Sequence, residues 1–194
     1  MMTAWGYDVN SALPPLLTAQ EYASMTGAEW SERLEAALNA ASQAIRNYCG
    51  WHVSPSVNCT ANPVGGAIIA KLPAGYVSAI TSITENGEAL SSSDYEWRKD
   101  GLIKHAAPYA WSNKWGGIEV QYTAGYDSAA VPDLIETACA IVAGVLAVAP
   151  GVTSESADGV SISYSANAAS IAAALTSQQK NALEVYKLRS SHAA

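Results

Sequence analysis

The sequence predicts an α+β fold in which a small α-helical bundle forms the core and an antiparallel β-sheet or hairpin region is inserted between its helices. Three observations support this prediction. Helical spacing of apolar residues dominates up to about residue 50, alternating segments with hairpin turns fill residues 51–126, and helical segments return after residue 131. The sequence predicts four parts. They are an extended N-terminal arm (1–17), a helical core of the domain (18–50 and 131–190), the inserted β region (51–126) and a flexible tail (191–194).

The first helices are predicted from their capping residues. Thr18 and Thr26 are each followed three residues later by a glutamate, Glu21 and Glu29, which is the capping-box pattern. The second box is predicted to open a long amphipathic helix that ends at Gly50. Its apolar stripe recurs at spacings of three and four residues and comprises Trp30, Leu34, Ala37, Leu38, Ala41, Ile45 and Tyr48.

Hairpin turns mark the inserted β region. Asn86-Gly87 and Asp100-Gly101 each separate two strand-like segments, and Asn-Gly is a strong hairpin signal. Further along, Ile118, Val120 and Tyr122 alternate with polar residues, as in a strand with one buried face. Four or five short antiparallel strands are predicted here.

A second long helix is predicted to begin at Pro132, where the missing N–H of proline costs nothing. Asp133 and Glu136 suit the positive end of its dipole. No charged residue follows between Glu136 and Pro150, so this helix is apolar around its whole circumference. One small domain rarely covers all sides of a helix, which suggests that neighbouring subunits cover part of it. A strand around Val160 and Ile162 and a short last helix follow.

Composition limits the possible functions. The chain has 194 residues, 49% of them hydrophobic, and a net charge of −7, which argues against a protein that grips DNA by neutralising phosphates. The uncharged stretch is too short for the roughly 20 residues of a membrane span, and the N-terminal residues show no signal peptide. We therefore expect a soluble protein made in a cytoplasm, with no membrane partner.

The spacing of cysteines, histidines and glycines in the sequence indicates neither a catalytic site nor a metal site. Three cysteines without a Cys-x-x-Cys pair favour reduced thiols, with Cys49 and Cys139 buried on helices and the burial of Cys59 open. The three histidines have no zinc-binding spacing, and phosphate-binding glycine motifs are absent from the sequence. The sequence thus predicts no enzymatic activity, no metal and no cofactor.

Three tryptophans of the β region support an alternative. Trp97, Trp111 and Trp115 could stack on sugar rings, which would make the chain a carbohydrate-binding module. Against this, Trp97 alternates in phase with Tyr95 and is expected to pack on the sheet. A small enzyme whose site escapes motif recognition is a third possibility.

The order of elements resembles the head–tail connector (adaptor) proteins of long-tailed bacteriophages. The resemblance extends over roughly residues 17–190 and rests on the combination and order of several segments, none diagnostic alone. These segments are LTAQEY, IRNYCGW, ITSITENGEAL with YEWRKDGLI, VQYTAGYDSAAVPDLIETACAIVAGVL, GVTSESADGVSISYS and the C-terminal LRSS.

This resemblance implies a structural protein of the virion neck. Members form a homo-oligomeric ring, twelvefold in the virion, between the portal protein and the stopper or tail-completion protein. Genome DNA would pass through the lumen without specific binding, which an acidic chain favours. Another phage neck or tail-completion role is the closest rival.

The C-terminal segment is the candidate docking site. In the family this segment reaches the portal, and here it combines apolar and basic residues in an otherwise acidic chain. The residues expected to dock on the portal are Leu183, Tyr186, Lys187, Leu188 and Arg189. From the sequence, removal of residues 186–194 is expected to leave a folded protein that no longer joins portal-bearing heads.

Overall fold

The protein is described here by a computed structural model, which covers residues 1–147, 154–157, 160–163 and 175–188. Its fold is α+β, as predicted. The chain divides into two compact units. The β unit consists of Met1–Leu13, Gly50–Asp127 and Tyr186–Ala194, and the helical unit consists of Pro14–Cys49 and Ser128–Val185.

The helical unit contains four described helices and a pair of short strands. The helices are α1 (Ala19–Thr26), α2 (Glu32–Cys49), α3 (Pro132–Ala147) and α4 (Ser177–Leu183). Helix α2 packs against α3 and α4. The two strands, Ser154–Ala157 and Val160–Ser163, pair with each other in antiparallel fashion; in the order of the whole chain they are β9 and β10.

The first predicted capping box is confirmed and the second is wrong. Thr18 and Glu21 cap α1 reciprocally, with the Glu21 amide donating to Thr18 Oγ1 at 3.2 Å. Thr26 instead ends α1, and Gly27 follows in the left-handed conformation at φ 73°. Because this glycine stops the helix, α2 starts later and Ser31 caps it by accepting from the Leu34 amide at 3.1 Å.

Helix α2 buries most of the predicted stripe. Leu34, Leu38 and Ile45 are fully buried, and the helix ends at Cys49 before Gly50, as predicted. Trp30 is an exception to the stripe because it lies before the helix start and is 65% exposed. Near the end of α2, Arg46 is buried and donates to the Pro14 carbonyl at 2.8 Å, which fixes the start of this unit.

Helix α3 begins at Pro132, as predicted, and is apolar on two sides. One side is buried and comprises Leu134, Thr137, Ala138, Ile141 and Val142. The opposite side is exposed and carries small residues, namely Ala140, Ala143, Gly144 and Ala147. Among the described residues, no helix is long and apolar enough to cross a membrane.

The described residues of the β unit form eight strands in two antiparallel sheets, and seven of these strands lie within residues 51–126, where four or five were predicted. The five-stranded sheet has the order β1-β2-β8-β4-β5, with β1 Asp8–Val9, β2 Val57–Ala61, β4 Val77–Glu85, β5 Glu88–Ala89 and β8 Ile118–Ala124. The three-stranded sheet has the order β3-β7-β6, with β3 Ile69–Lys71, β6 Tyr95–Trp97 and β7 Leu102–His105.

Both predicted hairpins are present. Asn86 and Gly87 turn β4 into β5 with positive φ at both residues, and Gly101 lies in the turn between β6 and β7 at φ 82°. Strand β8 alternates as predicted, with Ile118, Val120 and Tyr122 buried.

The N-terminal residues, predicted as an extended arm, join the five-stranded sheet. Asp8 pairs with Thr60 and Val9 pairs with Cys59. Tyr7 and Val9 are buried, so this segment is part of the core of the β unit.

Candidate interaction surfaces

The C-terminal end of the described chain is held by an aromatic cluster of the β unit. Trp51 lies at its centre, is fully buried, and donates from Nε1 to the Tyr186 carbonyl at 2.6 Å. The Trp51 ring contacts the Tyr126 ring edge-on, with 6.1 Å between centroids. Gly75 lies directly beside the indole, since a Cβ there would be 2.9 Å from Trp51 Cζ2.

Three tyrosines extend this cluster towards the surface. Tyr76 stacks on Tyr126 with centroids 4.6 Å apart, and Tyr186 meets Tyr126 edge-on at 5.7 Å. Burial, and next the proximity of Tyr76, raise the pKa of Tyr126 above the ordinary value of a tyrosine. Lys99 Nζ lies 5.9 Å from the centre of the Tyr76 ring, a cation–π contact.

The buried His52 lies next to this cluster, and its ring contacts the Trp51 ring edge-on. His52 Nδ1 is 2.7 Å from the Tyr7 hydroxyl, and His52 Nε2 is 3.0 Å from the Ala124 carbonyl. If Nε2 carries the proton, it donates to the carbonyl and Nδ1 accepts from Tyr7. Both ring nitrogens therefore have hydrogen-bond partners within the β unit.

The five predicted docking residues lie in different surroundings. Leu183 is fully buried in the helical unit, so its side chain is not available at the surface. Tyr186 and Leu188 are half-buried and Lys187 is exposed. Arg189 lies outside the described residues. The surface available for docking therefore consists of the residues after Leu183.

The three tryptophans do not form a common exposed surface, which corrects the sugar-stacking alternative. Trp111 is 1% exposed, and its Nε1 donates to the Ile103 carbonyl at 3.4 Å. Trp97 is half-buried and Trp115 is 98% exposed. Trp111 lies in a loop and not in a strand, so the alternation of residues in a strand could not predict its burial.

Trp111 belongs to a second aromatic stack. His105 lies between the rings of Tyr109 and Trp111, with centroids 4.0 Å and 3.9 Å away. Its Nε2 is 3.3 Å from Glu85 Oε2, and Glu85 Oε1 accepts from the Ser112 amide at 2.6 Å. This stack fixes the loop between β7 and β8 against the end of β4.

The cysteines differ from the prediction at one position. Cys49 is buried, as predicted, whereas Cys139 is only half-buried because α3 turns it away from its fully covered side. Cys59, whose burial was left open, is buried. Burial raises its thiol pKa to about 12 and also raises the thiol pKa of Cys139.

The rates at which the three thiols react should follow their accessibility. With a disulfide reagent at pH 8, we expect one rapidly reacting thiol in the native protein and three after denaturation, because the thiolate is the nucleophile and Cys139 is the most accessible. The Cys139→Ala variant should lose the rapid phase. Equal rates for all three native thiols would contradict the described burial.

In the part of the chain that the structure describes, no three His, Cys, Asp or Glu side chains converge to hold a metal ion. The recognisable features are aromatic clusters and exposed apolar side chains.

A family model described as head completion protein matches residues 16–187, so the chain belongs to the head completion protein family. This confirms the predicted resemblance to phage head–tail connectors at the level of the family. No curated protein matches the chain.

Three solved structures share the fold. A chain in the neck of a native GTA particle computed with C12 symmetry matches with a TM-score of 0.61 and 16% identity, over 97% of this chain and 96% of that chain. A chain in the neck of an empty GTA particle computed with C6 symmetry matches with a TM-score of 0.59, 16% identity and the same coverage of 97% and 96%. A chain in the virion of a native gene transfer agent particle has a TM-score of 0.53 and 14% identity, over 86% of this chain and 93% of that chain.

Proposed function

We propose that the protein is a structural component of a phage virion neck, an adaptor that forms a ring between the portal and the stopper or tail. The observation that carries this proposal is the match of the whole fold to a chain in the neck of a GTA particle, over 97% of this chain and 96% of that one. Membership of the head completion protein family supports the same role. The role is one of assembly, not of catalysis.

A ring of identical copies is supported by two features. The matched neck structures were computed with C12 and C6 symmetry, which suits a ring of twelve copies. In addition, α3 exposes a side formed by Ala140, Ala143, Gly144 and Ala147, where a neighbouring copy could approach closely.

The acidity of the chain fits a ring through which DNA leaves the head. A chain with a net charge of −7 has, as a whole, little tendency to retain a polyanion. DNA passage would then require no specific contact between the ring and the bases.

The portal-facing surface is proposed to lie at the C-terminal segment. Tyr186 is anchored by Trp51 at 2.6 Å, which holds the following residues Lys187 and Leu188 at the surface. Arg189 would add a second positive charge. A basic and partly apolar segment of this kind suits an acidic rim on the portal protein.

The decisive experiment is to locate the protein in particles. In virions, electron microscopy with a tagged copy should place one ring of this protein directly below the portal, and a strain without the gene should accumulate filled or unsealed heads lacking tails. A ring located between stopper and tail would favour a tail-completion role instead. Absence of the protein from purified virions would contradict both.

A further inference from the structure

A hairpin turn of the β unit places Lys99 beside the aromatic cluster. The turn is closed by a hydrogen bond from the Gly101 amide to the Arg98 carbonyl at 2.9 Å, and the Gly101 carbonyl accepts from the Leu72 amide at 2.8 Å. The Lys99 carbonyl itself accepts from the Val77 amide at 2.8 Å. Because three backbone hydrogen bonds fix this turn, its backbone loses little conformational entropy when a partner binds.

The Lys99 ammonium has no carboxylate partner among the described residues. Their ion pairs do not include Lys99, and the neighbouring Asp100 is paired with Arg98, with 2.8 Å between Arg98 Nη2 and Asp100 Oδ2. The exposed Lys99 side chain instead holds its Nζ over the Tyr76 ring, 5.9 Å from the centroid. The positive charge of Lys99 is therefore available to another molecule.

Two phenol hydroxyls close to this ammonium also lack an acceptor. Neither the Tyr76 nor the Tyr126 hydroxyl has a hydrogen-bond partner in the described part of the chain. The buried polar side-chain atoms without a partner there belong to His105 and Tyr122, so the hydroxyls of Tyr76 and Tyr126 are open to solvent. Since the two half-buried rings stack with centroids 4.6 Å apart, each ring limits the movement of the other.

These side chains continue into the C-terminal segment. Tyr126 meets Tyr186 edge-on, with 5.7 Å between ring centroids, and the exposed Lys187 follows Tyr186 directly. Five side chains of the β unit thus form one tyrosine row with a cation at each end, namely Lys99, Tyr76, Tyr126, Tyr186 and Lys187.

We propose that Lys99, Tyr76 and Tyr126 bind the carboxylates of an acidic segment of the portal protein and so extend the docking surface beyond the C-terminal residues. This inference rests on the portal-docking function proposed above. The chemistry of the three groups determines the kind of partner. An ammonium and two hydroxyls without acceptors fit groups that carry negative charge and only accept hydrogen bonds, and in proteins these groups are ionised Asp and Glu.

Nucleic acid fits the tyrosine row less well than protein carboxylates do. Proteins that bind single strands stack bases on free aromatic faces, whereas the Tyr126 ring already contacts the rings of Tyr76, Trp51 and Tyr186. Binding through phosphates requires many cations. The row contains two, in a chain with 10 Lys and Arg against 17 Asp and Glu.

Reversing the charge of Lys99 should weaken docking without unfolding the protein. We expect Lys99→Glu to bind portal-bearing heads at least about tenfold more weakly in co-sedimentation, and to show a smaller salt dependence. The backbone hydrogen bond to Val77 remains, so Tm should be nearly unchanged. Lys114→Glu is the matched control, since it reverses the charge of an exposed lysine of the β unit outside the tyrosine row. Lys99→Arg should restore binding.

The two hydroxyls are tested by phenylalanine substitutions. Tyr76→Phe combined with Tyr126→Phe keeps both stacked rings and removes only the oxygens. Because hydrogen bonds to charged groups are among the strong ones, we expect the double variant to bind heads at least about tenfold more weakly at nearly unchanged Tm. Binding equal to that of the wild type would show that these tyrosines serve only to support the fold, and would overturn their part in the site.

Chemical cross-linking identifies the partner of Lys99. A carbodiimide joins an amine directly to a carboxylate that touches it, without a spacer. In assembled particles we expect Lys99 to be joined to an Asp or Glu of the portal protein, and this product should be absent from Lys99→Arg, whose guanidinium does not react. Products that join Lys99 to another copy of this chain or to the stopper, with none to the portal protein, would overturn the proposal.

Failure of the docking function gives a different result from failure of this site. If wild-type protein does not bind portal-bearing heads, the docking function fails and the site fails with it. If wild-type protein and Lys99→Glu bind heads equally, the site fails and the docking function stands. Loss of duplex DNA binding in Lys99→Glu, with head binding unchanged, would assign the tyrosine row to nucleic acid instead.

Discussion

Replacing Gly125 by alanine is expected to destabilise the β unit by about 3 kcal/mol, which corresponds to roughly 6–12 °C in Tm. Gly125 directly follows β8 and has a φ of 103°, a conformation that strains any residue with a Cβ. The added Cβ would collide with the Pro55 carbonyl oxygen and lie 2.7 Å from His52 Nε2. Thermal unfolding followed by circular dichroism measures the loss.

Gly87→Ala provides the matched control for this experiment. Gly87 also has positive φ, at 91°, but a Cβ there would have nothing within 4 Å. Gly87→Ala should therefore lose only the energy of backbone strain, about 1 kcal/mol. If the two variants lose equal stability, crowding at Gly125 is not responsible for its effect.

Features set by local chemistry were predictable from the sequence. The Thr18 capping box, the Asn86-Gly87 turn and the alternation of β8 all depend on residues close together in the chain. The start of α3 at Pro132 belongs to the same group. In each case a few neighbouring residues determine the backbone, so tertiary contacts need not be known.

Other features depend on contacts distant in the chain, and the sequence missed them. Strands β1 and β5 have two residues each, too few to show a period of two. The capping box predicted at Thr26 does not form, because Gly27, the next residue, ends α1 in the left-handed conformation. Gly27 and Ser31 were the residues in the sequence that could have indicated the true end of α1 and the true start of α2.

The candidate site was only partly predictable for the same reason. The tryptophans of the β region look alike in sequence, yet Trp111 is 1% exposed and Trp115 is 98% exposed. Their difference comes from the hydrogen bonds of Ser112 to Glu85 and Asn86, which lie more than twenty residues earlier. Sequence periodicity carries no information about such a loop.

The structure changes what is expected of the C-terminal segment. From the sequence, removal of residues 186–194 was expected to leave the fold intact. In the structure, Tyr186 accepts from Trp51 and contacts Tyr126. Its loss would leave the buried Trp51 Nε1 without this acceptor, at a cost of about 1–3 kcal/mol. This truncation therefore tests stability and docking together, and a surface variant is needed to separate them.

Removal of residues 186–194 is expected to abolish binding to portal-bearing heads and to lower Tm, whereas Lys187→Glu should weaken binding at least about tenfold at nearly unchanged Tm. Lys187 is exposed, so its replacement costs the fold little, but it reverses a charge that would face an acidic portal rim. Lys114→Glu is the matched control, because it makes the same charge reversal at an exposed lysine outside the C-terminal segment. Co-sedimentation with heads at several salt concentrations measures docking. Undiminished binding of Lys187→Glu at low salt would contradict electrostatic docking, and full binding by the truncated protein would remove the segment from the portal contact altogether.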